Sequence, residues 1–248
     1  MYQPSFKISK TGVPILSKAK IDFIGENLVQ DFQPEALNHP EPIDIDKFVE
    51  FYLGMTLDFQ HLSHNGIYLG MTIFNESDKV IIYSPATNRA EYIYEPARTV
   101  IIDKQLTAEK QRHRYRFTMG HEAAHDILHS GYFAYDPNQM TLFDAPMIQC
   151  RVDNYSTNSN GKRTDRDWLE WQANALSSAI LMPQSAVKKV VKEEVKTSLP
   201  QGILADYLTH VVKQTFDVSY EAAQIRLKEL NIITEDTSIT ENIRALLS

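Results

Sequence analysis

Residues 117–130, FTMGHEAAHDILHS, carry three histidines and two acids on a run with helical periodicity and few turn residues. His121 and His125 are four apart, just over one helical turn, so both imidazoles project from one face. Two nitrogens so placed can hold one tetrahedral ion at about 2.0–2.1 Å each. Glu122 lies about 100° around the helix from His121 and can reach a water beside that ion without ligating it. The spacing is the H-E-x-x-H pattern of zinc hydrolases. His129 continues the series. The rise of about 1.5 Å per residue, however, sets its Cα roughly 12 Å from that of His121. One ion bound at about 2 Å cannot span three such rungs, and a third His after Gly is absent from the motif. His129 therefore reads as a supporting residue.

The third ligand must come from another element. Glu170 is the candidate, 170 − 125 = 45 residues further on. Its surroundings are apolar, with Trp168, Leu169, Trp171, Ala175, Leu176, Ala179 and Ile180, while Glu170, Asn174 and Ser177 form a narrow polar stripe. A carboxylate on a buried helix is costly unless a metal or partner compensates it. An exposed or salt-bridged Glu near a helix start, favoured by the helix dipole, accounts for the same spacing equally well.

Several elements must position these groups. Apolar spacing over 17–32 predicts an amphipathic helix with Ser17 at its N-cap, and 44–53 a second helix stopped by Gly54. Between 55 and 103, short runs rich in β-branched and aromatic residues alternate with turn chemistry (SHNG, NESD, PATN), which predicts an antiparallel sheet of about three to five strands. Helical spacing returns from Thr107 to Gly131, the latter a suitable C-cap. Residues 136–167 form a 32-residue polar interval, expected to be a surface loop. Further helices are expected over 167–182, ending before Pro183, then 185–196, 199–216 and 220–230, with a short one in the tail from 237. The organisation expected is an N-terminal helical segment (1–54), a core (55–183) and a C-terminal helical region with helix-turn-helix character (184–248).

The bulk numbers restrict the class. A chain of 248 residues, 43% hydrophobic, can bury a substantial core. No apolar run reaches the roughly 18 residues of a membrane helix, and the first 20 residues lack a signal h-region. Cys150 is the only cysteine, so neither an intrachain disulfide nor a multi-cysteine metal cluster is available, and it carries no role here. These features predict a cytoplasmic protein with no membrane association. A net charge of −7 argues against duplex DNA, as does the near balance of seven Lys/Arg against six Asp/Glu over 186–230. Direct DNA binding is not expected.

RFTMGHEAAHDILH, followed after a variable interval by EWQANALSSAILMP, resembles the ImmA/IrrE family of metallopeptidases. That pattern is an H-E-x-x-H helix, then a helix reading E-x-x-A-N and closing in L-M-P. The later TFDVSYEAAQIRLKEL is similar to the family's F-x-V-S-x-x-A segment. The resemblance implies that His121, His125 and Glu170 ligate the metal and that Glu122 is the catalytic base. It implies an α+β, zincin-like fold, with the active-site helix packed beside a small antiparallel sheet and further helices at the C-terminus. It also implies a protein substrate, a helix-turn-helix repressor whose cleavage switches on mobile-element or stress-response genes. Zinc with three protein ligands keeps one position open for water and acidifies it. Glu122 would take the proton and return it to the leaving amine. Manganese is an alternative occupant, and a His–His–carboxylate set also suits Fe(II). Tyr132, Tyr135 and His129 are candidates for stabilising the oxyanion. The competing classes are a non-catalytic regulatory module of the same fold and a transcription factor using the C-terminal helices.

Overall fold

The first long helix starts where its cap predicts. Ser17 Oγ accepts from the Lys20 amide, and α1 (Lys18–Phe32) buries Ile21, Ile24 and Leu28 on one face. The structure is a computed structural model that describes residues 1–133, 147–151, 163–195, 199–234, 236 and 238–240. Most of the interval 136–167, Tyr135, the Cys150 side chain and residues 241–248 fall outside the described residues, while at the start of the tail helix expected from 237 Ile239 instead bridges Ile233.

Before α1, β1 (Lys7–Ile8) and β2 (Pro14–Ile15) pair in a short antiparallel ribbon. After it come the short α2 (Glu35–Asn38) and α3 (Ile45–Lys47), the latter capped by Asp44 and continued by one π-helical turn, Phe48–Tyr52. The chain then lays down β3 (Thr56–Gln60), β4 (Tyr68–Ile73), β5 (Ser77–Ser84), β6 (Arg89–Glu95) and β7 (Thr99–Asp103). The main sheet has the order β3-β7-β4-β8, with β8 spanning Met147–Arg151. β5 and β6 form a separate antiparallel hairpin.

The sheet differs in one respect from the antiparallel expectation: β3 and β7 run parallel, while β4 pairs antiparallel with β7 and with β8. The β5–β6 hairpin returns the chain so that β7 enters between β3 and β4. Alternation along a strand records which face is buried, not which neighbour it pairs with. As the central strand, β7 is buried along its length and reads as a continuous apolar run. Its Val100 and Ile102 face the main core, and Ile101 joins Leu62, Met71, Ile73 and Val80 in a smaller cluster on the other side.

Two 3₁₀ turns, Lys104–Thr107 and Glu109–Gln111, occupy the start of the third predicted helix, so α4 spans Arg112–His129. Gly131 does not take the left-handed capping conformation; instead the Tyr132 and Phe133 amides both donate to the His129 carbonyl, at 2.9 and 3.2 Å. α5 (Asp165–Leu181) opens with a capping box in which Thr164 and Asp167 satisfy each other's amides. α6 (Gln184–Glu194), α7 (Gln201–Phe216) and α8 (Tyr220–Glu229) follow. The main apolar cluster draws on each of the three segments marked out from the sequence. Asp22 of α1 and Arg226 of α8, both buried, pair at 2.7 Å across it. Among the described residues no helix is long and apolar enough to cross a membrane.

Candidate active site

α4 and α5 cross closely because Gly120 faces Ser177: a Cβ at Gly120 would stand 2.6 Å from Ser177 Oγ. That hydroxyl donates to the Phe117 carbonyl at 3.0 Å, tying the helices together at the crossing. The approach brings His121 and His125 of α4 to Glu170 of α5. His121 Nε2 lies 3.0 Å from His125 Nε2 and 3.3 Å from Glu170 Oε2, and His125 Nε2 lies 3.9 Å from Glu170 Oε1. All three residues are buried, with ligand atoms within 4.8 Å of one another. Ligands held at about 2.0–2.1 Å by one tetrahedral ion stand roughly 3.3 Å apart, so the spacing suits a single small cation. The donor set of two imidazoles and a carboxylate, converging with one water position to spare, fits zinc and also manganese or Fe(II).

Each imidazole is held from its far side. His121 Nδ1 lies 2.9 Å from Asn174 Oδ1, one turn beyond Glu170 on α5. His125 Nδ1 lies 2.8 Å from His129 Nδ1, and His129 Nε2 lies 3.0 Å from Gln172 Oε1. Gln172 Nε2 in turn donates to the Pro14 carbonyl of β2 at 2.7 Å. Such outer bonds orient metal-ligating histidines and raise their basicity. Burial holds His125 well below the ordinary histidine range and lowers His129 to about 4, so both rings are neutral at neutral pH.

Glu122 reaches β4. Its Oε2 accepts from Thr72 Oγ1 at 2.6 Å, while its Oε1 is buried with no hydrogen-bond partner among the described residues. Burial pushes this carboxyl up to about 7, against the nearby His121 and the Thr72 hydrogen bond, which lower it. β4 can pass this close because residue 70 is glycine: a Cβ there would lie 2.5 Å from Glu122 Oε1 and 2.8 Å from Thr118 Cγ2.

A cavity of about 550 Å³ opens from His121 along the α4–α5 crossing to α8. Phe117, Trp171, Ala175, Val218, Ala222 and Ile225 make its walls largely apolar, with Arg114 and Glu221 also lining it. The basic start of α4 is partly committed elsewhere, since Arg112 and His113 approach Asp217 at 2.7 and 3.2 Å. Of the oxyanion candidates, His129 has both nitrogens engaged, the Tyr132 ring lies against Phe133 and beneath Gly12, and Tyr135 is outside the described residues.

Glu170, Asn174 and Ser177, the stripe read from the sequence, thus face α4 in three distinct settings. Gly70, Thr72, Gln172 and Pro14 were not legible. Gly70 and Thr72 sit in a strand pattern with no chemical signature, and Gln172 meets His129 only through the helix crossing.

A buried His–His–Glu cluster on two crossing helices beside a small sheet defines an α+β protein of zincin-like architecture. The chain belongs to the ImmA/IrrE peptidase family: the family model Peptidase M78, described as the IrrE N-terminal-like domain, matches residues 68–228. No curated protein matches the chain.

Proposed function

We propose that this protein is a zinc-dependent endopeptidase acting in the cytoplasm on a regulatory protein, a helix-turn-helix repressor by the family resemblance. One observation carries the chemistry: three buried ligand atoms converge beside a carboxylate, Glu122, that keeps one oxygen unbonded. His121, His125 and Glu170 would hold the zinc, or manganese in its place. When bound, the metal supplies a Lewis acid that acidifies water and polarises a carbonyl. Glu122 Oε1 is the base that takes a proton from the attacking water, and Thr72 holds the other oxygen, leaving Oε1 the unbonded one. Glu122 then donates that proton to the leaving amine. A carboxyl with a value of about 7 is suited to both roles near neutral pH. The apolar cavity beside His121 offers room for a substrate side chain next to the scissile bond. Direct DNA binding is not part of this reading, because Arg226 of α8 is buried in its pair with Asp22.

The test has two parts. Purified protein given zinc at neutral pH should bind one equivalent, and the lack of any bound divalent metal would remove the assignment. Glu122→Gln should retain the metal and lose cleavage of a repressor encoded nearby. Full gene induction by that variant would show that the protein acts as a binding module instead.

A further inference from the structure

We propose that His129 and Gln172, anchored on the Pro14 carbonyl, are positioning residues that set the tautomer of His125 and so hold its Nε2 lone pair toward Glu170. The inference rests on the metal-centre reading for its purpose, but its argument needs only hydrogen-bond polarity and the neutral imidazole that a metal ligand must be. A carbonyl oxygen can only accept, so the Gln172 group 2.7 Å from Pro14 O is the NH₂. The other end of that amide is therefore the oxygen, 3.0 Å from His129 Nε2. An amide oxygen also only accepts, which places the His129 proton on Nε2 and leaves Nδ1 as a lone pair. His125 Nδ1, 2.8 Å away, must supply the proton of that contact. A neutral ring carries one N–H, so His125 Nε2 is left as an acceptor, facing His121 Nε2 and Glu170.

Reversing the chain would set the Gln172 oxygen against the Pro14 oxygen at 2.7 Å. Water cannot repair that mismatch, because His125 and His129 are fully buried and Gln172 is 1% exposed. The device also couples separate elements. A strand near the N-terminus sets the polarity, α5 carries it, and α4 receives it at a residue one turn beyond the ligand it serves. His121 is oriented independently by Asn174, so a lesion in the chain acts on one ligand only.

The test uses the full chain with ¹⁵N-labelled histidine, stripped of metal, and reads the tautomer from long-range proton–nitrogen correlations. Wild type is expected to show His125 protonated on Nδ1 and His129 on Nε2. Gln172→Leu and His129→Leu remove the polarity and should give mixed or inverted His125 tautomers. Zinc competition against a chelator should then show affinity about 10–100-fold weaker. His129→Asn keeps an acceptor for His125 Nδ1–H and should recover the tautomer and most of the affinity, which a purely space-filling role for His129 would not produce. Wild-type His125 protonated on Nε2 would overturn the proposal. So would unchanged tautomer and affinity in both leucine variants. If wild type binds no zinc, the metal reading fails while the tautomer measurement still decides this one. The wild-type spectrum also keeps the proposal falsifiable if a leucine variant does not fold.

Discussion

Replacing Glu122 with Gln removes a carboxyl whose ionisation the fold opposes, and the consequence can be worked out for the metal-free chain. The folded value is about 7, raised by burial from an ordinary 4.5. Because the folded value is the higher one, the group's contribution to stability is fully present below about pH 4.5 and lost as pH rises through about 7. The gap of about 2.5 corresponds to roughly 3 kcal/mol, of which about 2 kcal/mol falls between about pH 5.5 and about pH 8. Gln is neutral throughout and keeps a hydrogen-bonding oxygen for Thr72, so the variant should escape this loss. His125 and His129, both lowered by burial, push stability the opposite way with pH, so the absolute curve of neither protein isolates Glu122. The difference between the two curves does, since the histidines are common to both. Urea unfolding with chelator present, at several values across that range, gives the difference directly. The variant should gain about 2 kcal/mol on wild type from the acidic to the alkaline end. A flat difference would refute the claim that the fold resists ionising Glu122. Added zinc should shrink the effect, because a bound cation favours the carboxylate.

Three further outcomes are expected. Gly70→Ala puts a methyl 2.5 Å from Glu122 Oε1 and must displace it; cleavage should fall by about 10²-fold with zinc content unchanged, and wild-type activity would show that β4 yields freely. Glu170→Gln should weaken zinc binding beyond the roughly 10–100-fold expected of outer-bond changes, measured by chelator competition, and an unchanged affinity would place the third ligand elsewhere. Arg226→Met leaves Asp22 buried without its partner and should cost about 3–5 kcal/mol in urea unfolding, most of it recovered when Asp22 is also made apolar; a loss under about 1 kcal/mol would show that water reaches the pair.

Much of the architecture was readable because it depends on local chemistry. Ser17 and Pro183 mark helix limits through caps and missing donors, and the three C-terminal helices fall within two residues of their expected limits. The start of α4 was not readable, because the helical pattern read from Thr107 begins within two 3₁₀ turns that follow β7. The parallel β3–β7 pair was not readable either, since strand order follows from how distant strands return to the sheet.

The site divides along the same line. Within one helix, the period alone places His121 and His125 on a shared face and keeps His129 from reaching an ion held by both, since a rigid rise per residue leaves no freedom. For Glu170 the spacing left a surface carboxylate and a buried ligand equally open, and family resemblance favoured the latter. Only the α4–α5 crossing brings Glu170 to 3.3 Å from His121, because that contact depends on Gly120 meeting Ser177 across helices distant in sequence. The same holds for Gly70 and Thr72 beneath Glu122, and for the Pro14–Gln172–His129 chain behind His125. Residue types and their local period thus determined which groups could do the chemistry, whereas packing of distant elements decided which of them meet and how each is held.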